Sequence, residues 1–155
     1  MKRMISILTL LLICIPFASI AQGKKDGDQL LGVYWVEKPN STLKSKVRIY
    51  KTSKGEYEGK VIWFNEPNNK DGTPKLDPHN PDPKLRNQRA DQAVILRGFT
   101  YNPKTKEWVG GEVYNPEDGK SYSCKLKFQD SKTLRVRGYV GIPLLGKTLY
   151  WKKLE

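Results

Sequence analysis

The feature that most constrains this chain is a period of two. In the run from Ser121 to Phe128 the residues Tyr122, Cys124, Leu126 and Phe128 occupy alternate positions, with polar residues between them. Such alternation places one set of side chains on each face of a β-strand. No stretch after the first twenty residues repeats apolar residues at helical spacing for three turns, so the fold class read from the pattern is all-β. Strands are expected at Leu30 to Val36, Lys44 to Lys51, Tyr57 to Phe64, Ala93 to Tyr101, Glu107 to Tyr114, Ser121 to Phe128, Leu134 to Val140 and Lys147 to Lys153. The connectors between several of them are short and rich in Gly, Asn, Asp and Pro, which makes neighbours antiparallel. A meander of about eight such strands removes its exposed edges by closing into a barrel. An open sandwich is the alternative with the same strand count.

The stretch WVGGEVYNPEDGKSY, Trp108 to Tyr122, reads as one hairpin. Pro116 presets the first central turn position, Asn115 bonds locally ahead of it, and Gly119 takes a positive φ at low cost. The doublet Gly110-Gly111 inside a strand signals a bulge, a sharp bend or a bulky side chain lying on bare backbone. In the following hairpin, pairing Phe128 with Leu134 sets Leu126 opposite Val136 on one face. The other face then opposes Lys127 to Arg135 and Lys125 to Arg137, which requires solvent, carboxylates or an anion among them. Arg137 is expected to point outward, so that its removal changes stability by no more than about half a kcal/mol; with the faces reversed it points inward and needs a carboxylate or a bound anion as partner.

The chain begins MKRMISILTLLLICIPFASIAQ, a charged start, an apolar run and small residues at Ser19 and Ala21. This is the pattern of a cleaved secretory signal over residues 1–21, leaving one domain over 22–155. The apolar run contains Pro16 and falls short of the roughly 20 residues that span a bilayer. An exported protein, periplasmic or secreted, is expected. Loss of the signal takes Cys14 with it and leaves Cys124, whose alternating context reads as a small buried side chain. The formal charge of +12 comes from scattered lysines and arginines. It suits solubility and attraction to an anionic envelope surface, and export argues against a nucleic-acid partner.

No pattern identifies a reaction: whether the chain is an enzyme stays open, with a non-enzymatic role favoured over a hydrolase on the acidic loop, and no cofactor or metal is assigned. His79 is the only histidine and has no nucleophile motif beside it. Within the long connection from Asn65 to Gln92, the stretch Asn65 to Asp82 with Asp71, Asp77 and Asp82 is the calcium candidate, but an EF-hand register around Gly72 puts Pro67 and Pro78 at the first and last ligand positions, which leaves only an irregular oxygen site. Glu112, Glu117 and Asp118 have no assignable separation, and the glycines of Gly138 to Gly146 lack the Lys-Ser/Thr pair of a phosphate loop. Long loops of this kind are often functional. Asp82-Pro83 opens a helical turn or two over Pro83 to Arg89, able to cover a barrel mouth, with Arg86 reaching back to Asp77 or Asp82.

Taken in order, Gly32-x-x-Trp35, DPHNPDPKLR (Asp77 to Arg86), the hairpin above, LRVRGYVG (Leu134 to Gly141) and Gly146-x-x-x-x-Trp151 resemble the secreted bacterial family named domain of unknown function 2147. The resemblance implies a lipocalin-like antiparallel barrel and singles out Asp77, Asn80, Pro81, Asp82 and Arg86 in the loop. It also singles out Trp108, Gly110, Gly111, Tyr114, Pro116, Gly119, Lys120 and Tyr122 in the hairpin, and Arg137, Gly138, Tyr139, Gly141, Gly146 and Trp151 beyond. Gln92-Ala93 departs from the Gly and apolar residue expected there. Two functional classes follow. One is a binding module for a small apolar or amphipathic ligand, with Trp35, Trp63, Tyr114, Tyr122 and Trp151 lining the barrel. The other is an envelope interaction protein with a packed barrel, acting through its basic surface or the apolar loop Ile142-Pro143-Leu144-Leu145.

Overall fold

The computed structural model describes residues 26–155; the expected signal, residues 1–21, lies outside the described residues. Eight antiparallel strands close into a barrel in simple sequence order, β8 pairing back onto β1. They are β1 (Gly32–Glu37), β2 (Lys44–Lys51), β3 (Tyr57–Phe64), β4 (Val94–Asn102), β5 (Glu107–Asn115), β6 (Lys120–Phe128), β7 (Thr133–Tyr139) and β8 (Lys147–Lys153). The barrel, not the sandwich, is therefore the architecture, and strand ends match the alternation to within two residues.

The hairpin registers follow from local chemistry. Phe128 faces Leu134, Leu126 faces Val136, and Lys127 and Lys125 face Arg135 and Arg137. In the β5–β6 turn Asn115 accepts the Gly119 amide at 2.9 Å on its carbonyl, and Gly119 sits at φ +68°. Gly110 adopts φ +78° at a break in the β5–β6 register, while a side chain at Gly111 would begin 2.5 Å from the Phe99 ring. The doublet thus makes both a bulge and a seat for an aromatic ring.

Tyr34, Phe99, Trp108 and Trp151 fill the barrel with Leu30, Val47, Ile49, Leu96, Leu126, Leu134 and Val136, all fully or almost fully buried. One end is closed by a 3-10 segment, Asp26–Leu30, which the period-two pattern had placed partly in a strand. Trp108 Nε1 donates to the Gly27 carbonyl at 3.1 Å, Tyr34 Oη to the Leu30 carbonyl at 2.8 Å, and Tyr57 Oη to Asp28 at 2.6 Å. The interior aromatics thus anchor the cap with their polar tips. The helical turn expected over Pro83 to Arg89 shrinks to a 3-10 turn, Pro83–Leu85, capped by Asp82, which accepts the Lys84 amide at 3.0 Å.

Candidate functional site

Three places compete for a role: the barrel interior, the long loop docked on the β5–β6 hairpin, and the outer surface. The interior offers little space, since its largest side chains occupy it. Of the five aromatics expected to line a cavity, Trp151 is buried inside and packs 6.4 Å from Tyr34. Its Nε1 has no hydrogen-bond partner. Tyr122 lies at the rim, its Oη donating to Asp118 at 2.6 Å. The other three must be corrected. Trp35 and Trp63 stack on the outer surface, ring centroids 5.6 Å apart. Tyr114 is also outward and is buried only because the long loop covers it.

The reason is a change of parity. Counting in twos from Val61 turns Trp63 inward, but the register steps by one extra residue between Lys46 and Val47, so Lys46 faces Trp63 and Val47 faces Val61. The bulge at Gly110 does the same to β5. Trp108 points in, Gly111 and Val113 point in, and Tyr114 is turned out.

Under the loop, Tyr114 Oη donates to Asp77 at 2.7 Å and Asn80 Nδ2 donates to the second Asp77 oxygen at 2.8 Å. Asp77 is 1% exposed. The Arg97 guanidinium lies 5.5 Å from the centre of the Tyr114 ring. Burial, reinforced by the Asp77 bond, pushes the Tyr114 phenol well above its usual range, so it stays a donor. Arg86 does not reach either aspartate: its Nε donates to the Asn80 carbonyl at 2.9 Å. Asn80 Oδ1 accepts the Asp82 amide at 3.0 Å, and the His79 backbone packs on Gly119. Asp77, Asn80, Asp82 and Arg86 therefore form one lock that fastens the loop to the hairpin of Asn115, Pro116 and Gly119. Asp71 is likewise bound within its own turn, to Thr73. Among the described residues no three His, Cys, Asp or Glu side chains come together as a metal-ion group.

Cys124 is buried, and burial pushes its thiol up to about 12. On the outer face of β5–β7, Glu107 lies 3.9 Å from Lys125 and 3.7 Å from Lys127. Its carboxylate answers the opposed cations at that position. Arg137 points outward, as expected, but is not idle. Its Nε donates to the Pro143 carbonyl at 2.7 Å, Nη2 to the Leu144 carbonyl at 3.0 Å, and Nη1 to Thr148 Oγ1 at 2.7 Å. These bonds clamp the 3-10 turn Pro143–Leu145, where Ile142, Leu144 and Leu145 stand 55%, 81% and 77% exposed, with Val140 beside them.

The family model described as "Uncharacterized protein conserved in bacteria (DUF2147)" matches residues 32–153, which is the whole barrel. The chain belongs to the DUF2147 family. A solved structure similar to this DUF2147 chain is that of protein HP1028 from the human pathogen Helicobacter pylori, described as belonging to the lipocalin family. The two are 29% identical, with a TM-score of 0.65, over 81% of this chain and 83% of the other. Among curated proteins none matches significantly. This DUF2147 chain is thus a lipocalin-like barrel whose motif residues divide between a loop lock (Asp77, Asn80, Tyr114, Gly119) and an outer clamp (Arg137).

Proposed function

We propose that this barrel works from its outside, as an interaction module that meets an anionic lipid surface through the 140–145 turn. The observation that carries this reading is the clamped apolar tip. Leucines left this exposed cost solubility, and single scattered apolar residues need no explanation, but Val140, Ile142, Leu144 and Leu145 fall within one short exposed stretch. A buried core has no use for them. Arg137 holds their backbone by its carbonyls, so the tip needs little further ordering on contact. Nearby Lys147 and the strong positive balance of the chain favour anionic headgroups. An exported location, the reading of residues 1–21, would bring the protein to such a surface.

The filled interior supports this class over an enclosed ligand. A narrower form of the small-ligand reading fits the end opposite the 26–30 cap, where Val36, Phe64, Val113 and Tyr122 are only partly buried. There an apolar group could rest on the rim without entering the barrel.

The test is sedimentation with vesicles. Wild-type protein should pellet with phosphatidylglycerol-containing vesicles and stay in solution with pure phosphatidylcholine. The Leu144→Asp/Leu145→Asp variant should lose binding without losing thermal stability, because both side chains are exposed. Binding that survives the double substitution, or no binding to either vesicle, would overturn the proposal.

A further inference from the structure

On the side of the barrel away from the loop lock, one cross-strand row runs Thr133, Lys152, Trp35, Lys46, Trp63 across β7, β8, β1, β2 and β3. Cations and indoles alternate along it. Neighbouring strands stand about 4.8 Å apart, so these side chains form a continuous strip on the outer face. Trp35 and Trp63 stack on each other, and Lys46 Nζ lies 5.5 Å from the Trp63 ring centre. Beside Trp35 the strip opens into a groove of about 220 Å³ lined by Trp35, Glu37, Thr133, Tyr150 and Lys152.

We propose that this groove is a subsite for an acidic glycan. Its two aromatic walls, Trp35 and Tyr150, offer flat apolar faces, and the C–H faces of a pyranose ring suit such surfaces. Glu37 Oε1 accepts the Trp35 Nε1 proton at 2.8 Å and lies 3.8 Å from Lys44 Nζ, which fixes the indole and leaves the other carboxylate oxygen to accept sugar hydroxyls. The Thr133 hydroxyl adds a donor and acceptor. The Lys152 ammonium within the groove, and Arg135, which faces Tyr150 across β7–β8, supply positive charge for a carboxylate carried on the sugar. A nucleic-acid strand would also stack and pair with the lysines, but it carries a phosphate at every step, whereas a uronate ring can turn its carboxylate toward Lys152 and present its hydroxyls to Glu37. Charge complementarity and a carboxylate acceptor in one groove therefore select a hydroxyl-rich anion. The site is separate from the 140–145 turn and does not need it.

The probe is a galacturonate tetrasaccharide, followed by tryptophan fluorescence and calorimetry, with maltotetraose, polyphosphate and a thymidine oligonucleotide alongside. Saturable binding with a change in tryptophan emission is expected. Tyr150→Ala and Lys152→Gln, both at exposed positions, should each weaken it by about tenfold or more, equivalent to 1.4 kcal/mol, with the circular dichroism of the barrel unchanged. Leu144→Asp/Leu145→Asp should leave it intact. The proposal is overturned by no saturable binding up to the order of millimolar probe, or by equal affinity for maltotetraose. It is also overturned if polyphosphate or the oligonucleotide binds equally well and Tyr150→Ala has no effect.

Discussion

Two tryptophans face the same interior and are held differently. Trp108 donates its indole proton to the Gly27 carbonyl, while the Trp151 indole nitrogen is buried without a partner. Trp108→Phe should therefore loosen the 26–30 cap and cost about 2–3 kcal/mol, through a lost hydrogen bond and a small void. Trp151→Phe creates a similar void but frees the protein of an orphan donor, so its cost should be clearly smaller. Chemical denaturation of the two variants checks the order. Tyr114→Phe should cost about 1–3 kcal/mol, because it leaves a buried Asp77 oxygen without its donor. In the same variant amide exchange should rise first in residues 77–82. Much of this level was legible: the burial of Cys124 and the turn roles of Asn115 and Gly119 follow from alternation and turn chemistry. The facing of Trp63 and Tyr114 was not, because a single bulge inverts every side chain after it. Gly110-Gly111 marked the bulge in β5, whereas nothing in the sequence of β3 marks the one beside Ile62.

At the scale of elements, several turns are built on aspartates whose carboxylates accept local donors. The Tyr122 hydroxyl and the Lys120 amide hold Asp118 below its usual range, the Lys132 and Thr133 groups do the same for Asp130, and Thr73 does so for Asp71. A depressed folded pKa contributes stability that is complete above the unfolded value of about 3.9 and is lost as pH falls through the lower folded value. The melting temperature should thus be flat toward neutral pH and decline below about pH 4. A melting temperature that rises on acidification would contradict that sign. The Arg137 clamp belongs here too. Its outward direction followed from the β6–β7 register, but alternation says nothing about a guanidinium curling back onto the next turn. Arg137→Ala should cost about 1–2 kcal/mol, above the small loss expected from an idle surface arginine. Limited proteolysis should then cut within residues 140–146. The Asp26–Leu30 cap was unreadable for a similar reason: DGDQL has no periodicity, and its structure is imposed by Tyr34, Tyr57 and Trp108.

For the whole molecule, strand order, closure and most strand ends were present in the pattern of twos and the turn residues. What the pattern lacked was the inside from the outside of individual aromatics, and with it the difference between a hollow barrel and a filled one. On the proposal made above, recognition is the work of the outer surface. The most direct measurement is a nuclear magnetic resonance titration of the folded protein with a short-chain anionic lipid below its micelle concentration, mapped by backbone amide shifts. The largest changes are expected at Val140 to Leu145 and at Arg137. Largest changes at Leu126, Leu134 and Val136, in the heart of the barrel, would contradict this and restore an interior ligand site.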